Sequence, residues 1–129
     1  MKKKIVTREE ELQAELNAIK EKKFQERLDV EYPILNEKVS GKFFKLKTGE
    51  GSKKWYIYSK VGNLKREDMY FVRNNEATAS LKGFTFQTNQ FKEVIIRTDA
   101  DLYSHYIGQP ISEAEYNKAW NNMMAFINK

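Results

Sequence analysis

The chain has 129 residues and 15.3 kDa, a size that suits one domain, and 40% of its residues are hydrophobic, enough for a core. Its net charge is +5, from 23 basic and 18 acidic side chains, and it contains no cysteine and a single histidine, His105. This composition excludes a disulfide framework, a thiolate or multi-histidine metal site, a cysteine nucleophile and, because no apolar run approaches about 18 residues, a transmembrane helix.

The charge is unevenly distributed along the chain. Residues 1–40 carry no net charge, residues 41–98 carry +7 and residues 99–129 carry −2. The basic start, residues 1–6, is not followed by an apolar stretch, so it does not form a signal peptide and we expect a cytoplasmic protein. We expect an N-terminal helix and connector over 1–40, followed over 41–129 by a β-barrel-like domain that a C-terminal helix closes.

The first predicted element is a long helix that begins at Thr7. Thr7 and Glu10 form a capping box, in which the threonine hydroxyl accepts a hydrogen bond from the amide three residues on. Pro33 disfavours the helical conformation of the residue before it, so we expect the helix to end near Tyr32. An apolar stripe follows the cap at irregular spacing, without a sustained heptad repeat. Its members are Leu12, Leu16, Ile19, Phe24 and Leu28.

Two arrangements of this helix are compatible with its apolar stripe. In the one we expect, the helix lies across the β domain and the stripe is part of the core. In the other, the helix projects beyond the domain, because about 22 residues span roughly 33 Å. Leu12, Leu16 and Ile19 would then form an interface with a second copy, giving a homodimer, or with another protein.

The middle of the chain predicts five short strands separated by turn-forming residues. They cover residues 43–47, 54–61, 69–72, 79–87 and 91–98. Gly83, inside the fourth strand, indicates a bulge or bend, and Asn74–Asn75 end the third. Because no helices alternate with these strands, we expect an antiparallel, barrel-like sheet and an α+β fold class.

The C-terminal segment predicts an amphipathic helix with a well-marked start. Ser112 and Glu115 form a second capping box. One apolar face follows at helical spacing and should close one end or face of the β unit. This face consists of Tyr116, Ala119, Trp120, Met123, Met124 and Ile127.

The chain offers few groups for catalysis. His105 is the only candidate for a base in a catalytic triad, and no catalytic motif surrounds it, so we expect a structural or surface histidine. Asp99 and Asp101 follow a strand, where two carboxylates suit Mg²⁺ but are also ordinary turn residues. We therefore predict that the protein is not an enzyme and has no cofactor and no metal site.

Lysines alternate with aromatic residues through residues 42–60, and this pattern is the most informative one in the chain. Because alternate residues of a strand share a face, the strand 54–61 has one basic, tyrosine-rich face and one core face. The basic face consists of Lys54, Tyr56, Tyr58 and Lys60. The core face consists of Trp55, Ile57 and Val61.

Exposed tyrosine rings beside lysines suit stacking on nucleic-acid bases with neutralisation of the phosphates. We therefore predict contact with RNA or with single-stranded DNA, alone or within a nucleoprotein. The residues predicted to bind are Lys45, Lys47, Lys53, Lys54, Tyr56, Tyr58 and Lys60. A solvated sheet face, with lysines that guard against aggregation, and a protein-binding face are the alternatives.

Three segments carry a resemblance to known proteins: Gly-Lys-Phe-Phe-Lys at 41–45, Lys-Trp-Tyr-Ile-Tyr at 54–58 and the helix start at 110–119. With the charged N-terminal helix, they resemble small uncharacterised proteins of tailed bacteriophages and mobile elements. The resemblance implies a protein that acts inside a bacterial cell, against or alongside nucleic-acid machinery. It supplies no catalytic residue.

Small phage proteins of this size include inhibitors of host defence systems, among them anti-CRISPR proteins. Inhibitors that mimic DNA are mostly acidic, so this basic chain is not expected to be one. The leading hypothesis is a non-enzymatic phage or mobile-element protein whose basic sheet face contacts RNA, single-stranded DNA or an RNA–protein complex. An inhibitor of host defence that works by protein contacts is the alternative, and a virion or assembly component is a further one.

Overall fold

A computed structural model describes residues 7–72 and 76–128 of the chain. Within them lie α1 (Arg8–Val39), β1 (Phe43–Thr48), β2 (Trp55–Val61), a 3₁₀ turn (Arg66–Asp68), β3 (Met69–Phe71), β4 (Ala77–Asn89), β5 (Val94–Tyr103), β6 (Gln109–Ile111) and α2 (Glu113–Ile127). The N-terminal stretch 1–6 and the turn predicted at Asn74–Asn75 lie outside the described residues.

The strands form one antiparallel sheet with β4 at its centre. β4 pairs with β2, β3 and β5, and β1 pairs with β2 and β6. The predicted α+β class is confirmed, but the sheet has six strands and is open. Closing a barrel requires the strands at its two ends to pair, and β3 and β6 have only three residues each.

The bounds of β1, β2 and β3 agree with the prediction to within one residue, whereas β4 is longer by two residues at each end and β5 ends five residues later than expected. β5 begins three residues later than expected, because Asn89 Oδ1 accepts hydrogen bonds from the amides of Phe91 and Glu93, at 2.9 and 3.1 Å, and holds those residues in a turn. The bulge predicted at Gly83 is confirmed by a register shift between Gly83 and Thr85 in the β4–β5 pair. β6 was not expected, since Pro110 lies inside it, and it is an edge strand, where proline is tolerated.

Both faces of the sheet are packed. On one face, α2 covers Phe86, and Tyr116 and Met123 are the buried residues of the helix. On the other face, the C-terminal part of α1 contributes the buried residues Leu28, Leu35 and Val39 to a second cluster. That cluster also contains Phe44, Val61, Leu64, Met69, Ala79, Leu81, Ala100, Leu102 and Ile107.

The N-terminal part of α1 extends away from the sheet, which it meets at its base through the Phe24–Phe71 ring contact, with centroids 5.5 Å apart. Every residue from Arg8 to Glu26 is exposed, so the expectation that the whole helix lies across the domain is wrong for roughly its first five turns. At about 100° per residue, Leu12 and Ile19 lie about 160–180° around the helix from the centre of its buried residues. The residues predicted as one stripe therefore occupy two opposite faces.

The helix also continues past Pro33, where it was expected to end, and reaches Val39. A proline inside a helix costs about 3 kcal/mol, because it removes one hydrogen bond and crowds the preceding turn. Burying Leu35 and Val39 beyond it is worth about 1.5–3 kcal/mol each, which offsets that cost.

Gly108 connects β5 to β6 at a point where a side chain has no room. Its φ of +90° is in the region that favours glycine, and a Cβ there would lie 2.3 Å from the carbonyl oxygen of Lys45. We expect Gly108→Ala to lower the free energy of unfolding by about 1–3 kcal/mol more than Gly51→Ala. Gly51 is the matched control, with a φ of +64° and no atom within 4 Å of the added Cβ. Urea denaturation measures the free energy of unfolding of both variants, and equal losses in the two would contradict the crowding at Gly108.

Tyr116, which is buried between α2 and the sheet, makes the stability of the fold depend on pH in the alkaline range. Burial raises the pKa of its phenol from the usual 10 to about 12, so the neutral form is favoured in the folded state. Its contribution to stability is complete below pH 10 and is lost as the pH rises from 10 to about 12. We expect Tyr116→Phe to make the fall in stability over this range shallower than in the parent. Denaturation midpoints across the range test this, and identical pH profiles for the two proteins would contradict it.

Candidate nucleic-acid interface

The pairing of β1 with β2 brings two of the predicted lysines onto two of the predicted tyrosines. Lys45 lies opposite Tyr58, and Lys47 lies opposite Tyr56. Residues directly opposite in an antiparallel pair share a face of the sheet. Lys45 Nζ is 5.2 Å from the ring centroid of Tyr56 and 5.5 Å from that of Tyr58, and Lys47 Nζ is 5.9 Å from that of Tyr56. We call these four residues the lysine–tyrosine patch.

The two tyrosines of the patch are both half-buried, not exposed as expected, and they differ in their surroundings. The ring of Tyr58 stacks on Phe86, with centroids 4.9 Å apart and planes 13° apart, so one face of this ring is occupied. Tyr58 belongs to the cluster under α2, whereas Tyr56 does not. Tyr56 is therefore the ring better placed to stack on a ligand, and Tyr58 links the patch to the core.

The two lysines of the patch form no ion pair with a carboxylate of the described residues. Within residues 7–72 and 76–128, the ion pairs are Lys53–Glu93 at 2.8 Å, Arg66–Asp29 at 2.5 Å and Lys82–Asp101. Neither Lys45 nor Lys47 takes part in one. Their positive charge is therefore balanced by no carboxylate in this part of the chain.

The other three predicted lysines lie apart from the patch. Lys60 shares its face but lies at the far end of β2, where its Nζ is 6.0 Å from the ring centroid of Phe43. Lys53 is paired with Glu93, and this hydrogen bond holds the pKa of the Glu93 carboxyl below its usual range. Lys54 was expected to lie in the strand, but it precedes β2, and its amide donates to Gln90 Oε1 at 2.9 Å.

The face of β2 that was expected to be core is only partly so. Val61 is buried, but Trp55 and Ile57 are half-buried, and the other buried residue on this face is Ser59. Beside Ile57 lies a concavity of about 160 Å³, whose rim includes Tyr106. Alternation along β2 could not distinguish its two faces, because a helix packs against each side of the sheet.

His105 takes part in a hydrogen-bond network that ties the turn after β5 to β4. Its Nδ1 is 2.8 Å from Thr78 Oγ1, which is 2.7 Å from Ser104 Oγ. Ser104 Oγ also accepts a hydrogen bond from the amide of Ala79 at 2.8 Å. Ser104 Oγ therefore contacts both a side chain and a backbone amide of β4, and this network holds the turn against the strand.

The two aspartates considered for Mg²⁺ lie within β5, not after a strand as expected, and one of them, Asp101, is bonded to a lysine. Lys82 Nζ donates to Asp101 Oδ1, and this bond, with the nearby charge of Asp99, raises the pKa of the Lys82 ammonium. In the part of the chain that the structure describes, no three acidic or histidine side chains come together as a metal-binding group.

No protein-family model matches this chain, and no curated protein or solved structure matches it either. Neither helix of the described residues combines the length and apolar character needed to cross a membrane. The resemblance to small phage proteins stays a prediction. The candidate interface therefore depends on its own geometry and charge.

Proposed function

We propose that this is a non-enzymatic binding protein whose lysine–tyrosine patch holds single-stranded RNA or DNA, free or within an RNA–protein complex. The observation that carries the proposal is the placement of two lysines, without carboxylate partners among the described residues, across a strand pair from two tyrosines on one sheet face. A lysine supplies charge for a phosphate, and a tyrosine supplies a flat ring for a base. Both are needed where a single strand binds to a sheet.

The spacing of the two lysines in the patch fits a single-stranded nucleic acid better than a duplex. Lys45 and Lys47 are two residues apart on β1, so they lie roughly 7 Å apart along the strand and suit two neighbouring phosphates. The bases of a duplex are stacked on one another and cannot reach Tyr56. A single strand can turn a base onto this ring while its backbone follows the lysines.

We further propose that the protein binds nucleic acid inside a bacterial cell. The sequence resemblance implies a phage or mobile-element protein that acts beside host nucleic-acid machinery in a bacterial cell. In that setting the ligand would be a host or phage RNA, or single-stranded DNA exposed during replication or defence.

Salt-dependent binding to a labelled single-stranded oligonucleotide tests the proposal, with fluorescence anisotropy as the readout. Each phosphate contact contributes about −0.7 to the slope of log K against log salt, so we expect Lys45→Ala with Lys47→Ala to reduce the slope by about 1.4. The matched control is Lys38→Ala with Lys65→Ala, which removes the same charge from exposed positions outside the sheet. If the two double variants reduce the slope equally, net charge alone attracts the oligonucleotide, and the proposal fails.

A second candidate function is supported by the exposed N-terminal part of α1. Leu12, Leu16 and Ile19 are exposed there, which favours the alternative of an inhibitor or assembly protein that works through protein contacts. If so, Leu16→Glu will lose a partner that the parent chain retains on purification from bacterial cells. Binding to the oligonucleotide would be unchanged in that variant.

A further inference from the structure

The exposed part of α1, residues 8–26, forms an arm that meets the β domain near its base, where the Phe24 and Phe71 ring centroids are 5.5 Å apart and Gln25 accepts hydrogen bonds from Arg66. The arm spans roughly 28 Å, and most helical stability in proteins comes from packing of an apolar face. Leu12, Leu16 and Ile19 on the arm are 51%, 44% and 52% exposed. The arm thus has apolar side chains available for packing, and no surface among residues 7–72 and 76–128 covers these three.

The exposed apolar residues of α1 form one continuous line. At about 100° per residue, Leu12, Leu16, Ile19, Val30 and Ile34 fall within an arc of about 60° that points away from the sheet. Four positions of the arm are spaced four, three and four residues apart, which is the spacing of a two-stranded coiled coil. They are Leu12, Leu16, Ile19 and Lys23. Val30 and Ile34 were not part of the predicted stripe, and a helical projection of the full 32 residues would have included them.

The charges along the arm indicate how a partner helix would lie. Residues 8–15 contain one arginine and four glutamates, a net charge of −3, and residues 20–26 contain three lysines and two glutamates, a net charge of +1. A second copy in parallel would place like charges together. An antiparallel copy would place the acidic half of each arm on the basic half of the other.

We propose that two copies of this chain associate through their arms as an antiparallel helix pair, centred between Asn17 and Ala18. In this register Leu16 packs on Ile19 of the second copy, and Leu12 packs on the aliphatic part of the Lys23 side chain. Glu15 lies beside Lys22 of the second copy on the flank of the seam, where charged pairs set the orientation of coiled coils. Leu16 and Ile19 are exposed on the face of α1 that points away from the sheet, so the β domain of the same chain does not cover the seam.

The association should be weak and sensitive to salt. Three apolar side chains per arm make a small contact, and interfaces well under about 1,200 Å² belong to weak complexes. Glu9 lies opposite Glu26 near each end of the pair, which weakens it further. The opposite charges of the two arm halves are exposed and are therefore screened by salt. This inference concerns only α1 and does not depend on nucleic-acid binding.

Analytical ultracentrifugation over a range of concentrations tests the pairing. The mass of the parent should rise from 15.3 kDa toward twice that value as the concentration approaches the millimolar range. Leu16→Glu should stay monomeric throughout, with an unchanged β domain. Glu15→Lys should raise the dissociation constant about tenfold, and adding Lys22→Glu to that variant should restore it. A parent that stays monomeric, or a double variant without rescue, would overturn the proposal.

The absence of cysteine from the chain allows the orientation to be read directly. An equal mixture of Leu12→Cys and Lys23→Cys chains should form the mixed disulfide dimer in preference to either symmetric one. A parallel pair would instead join Leu12→Cys to itself and Lys23→Cys to itself. Predominance of the symmetric products would contradict the antiparallel pair.

Discussion

Replacing Phe86 with alanine will lower the free energy of unfolding by about 3–5 kcal/mol. The side chain is fully buried in β4 under α2, and its ring lies 4.9 Å from that of Tyr58, 5.3 Å from that of Tyr116 and 5.3 Å from that of Trp120. The loss combines the transfer of the ring to water with the cavity left among three aromatic neighbours.

Phe91→Ala is the matched control for this prediction. Phe91 is 60% exposed in the turn between β4 and β5, so the same change there should alter stability by no more than about 0.5 kcal/mol. Urea denaturation of the parent and both variants gives the comparison. A loss of less than about 1 kcal/mol for Phe86→Ala would show that the contact between α2 and the sheet is not the core described here.

Tyr56→Ala will weaken binding of a single-stranded oligonucleotide by about 1–3 kcal/mol, the value of one base stacked on an aromatic ring. Since the substitution removes a ring and no charge, the slope of log K against log salt should stay that of the parent. This combination separates stacking from charge neutralisation, because the double lysine variant changes the slope as well.

An exposed tyrosine outside the patch provides the control for stacking. Tyr106 is 65% exposed beside the concavity on the opposite face of the sheet, so Tyr106→Ala should bind the oligonucleotide like the parent. Anisotropy titrations near physiological salt measure both variants. If Tyr56→Ala binds as well as Tyr106→Ala, the sheet face does not stack on bases, and a protein-binding role becomes the better interpretation.

The two tyrosines of the patch are expected to respond differently to mutation. Because Tyr58 stacks on Phe86, Tyr58→Ala removes support from the core as well as a ring from the patch. It should therefore lower both stability and affinity. Tyr56 lies outside the cluster under α2, and its replacement should affect mainly affinity.

Local hydrogen bonding made several features of the fold predictable from sequence. The hydroxyls of Thr7 and Ser112 accept from the amides of Glu10 and Glu115, at 3.2 and 3.1 Å, as their capping boxes predicted. Such bonds depend on residues three positions apart and need no knowledge of tertiary structure. The alternation of lysine and tyrosine on β1 and β2 was equally local.

The parts of the fold that escaped prediction depend on contacts distant in sequence. The opposition of Lys47 and Tyr56 requires the register of β1 on β2, which the loop between them is too long to determine by turn type alone. The covering of Tyr58 depends on where α2 docks, and the helix past Pro33 depends on the burial of Leu35 and Val39. None of these contacts leaves a short-range pattern.

Mapping of backbone amide chemical shifts during titration with a single-stranded oligonucleotide tests the lysine–tyrosine patch most directly. At physiological salt, the amides that shift most should be those of β1 around Lys45 and Lys47 and those of β2 around Tyr56 and Tyr58. The amides of the α1 arm and of the concavity beside Tyr106 should shift little. Shifts confined to the arm or to the concavity, or none at saturating oligonucleotide, would contradict the proposed function.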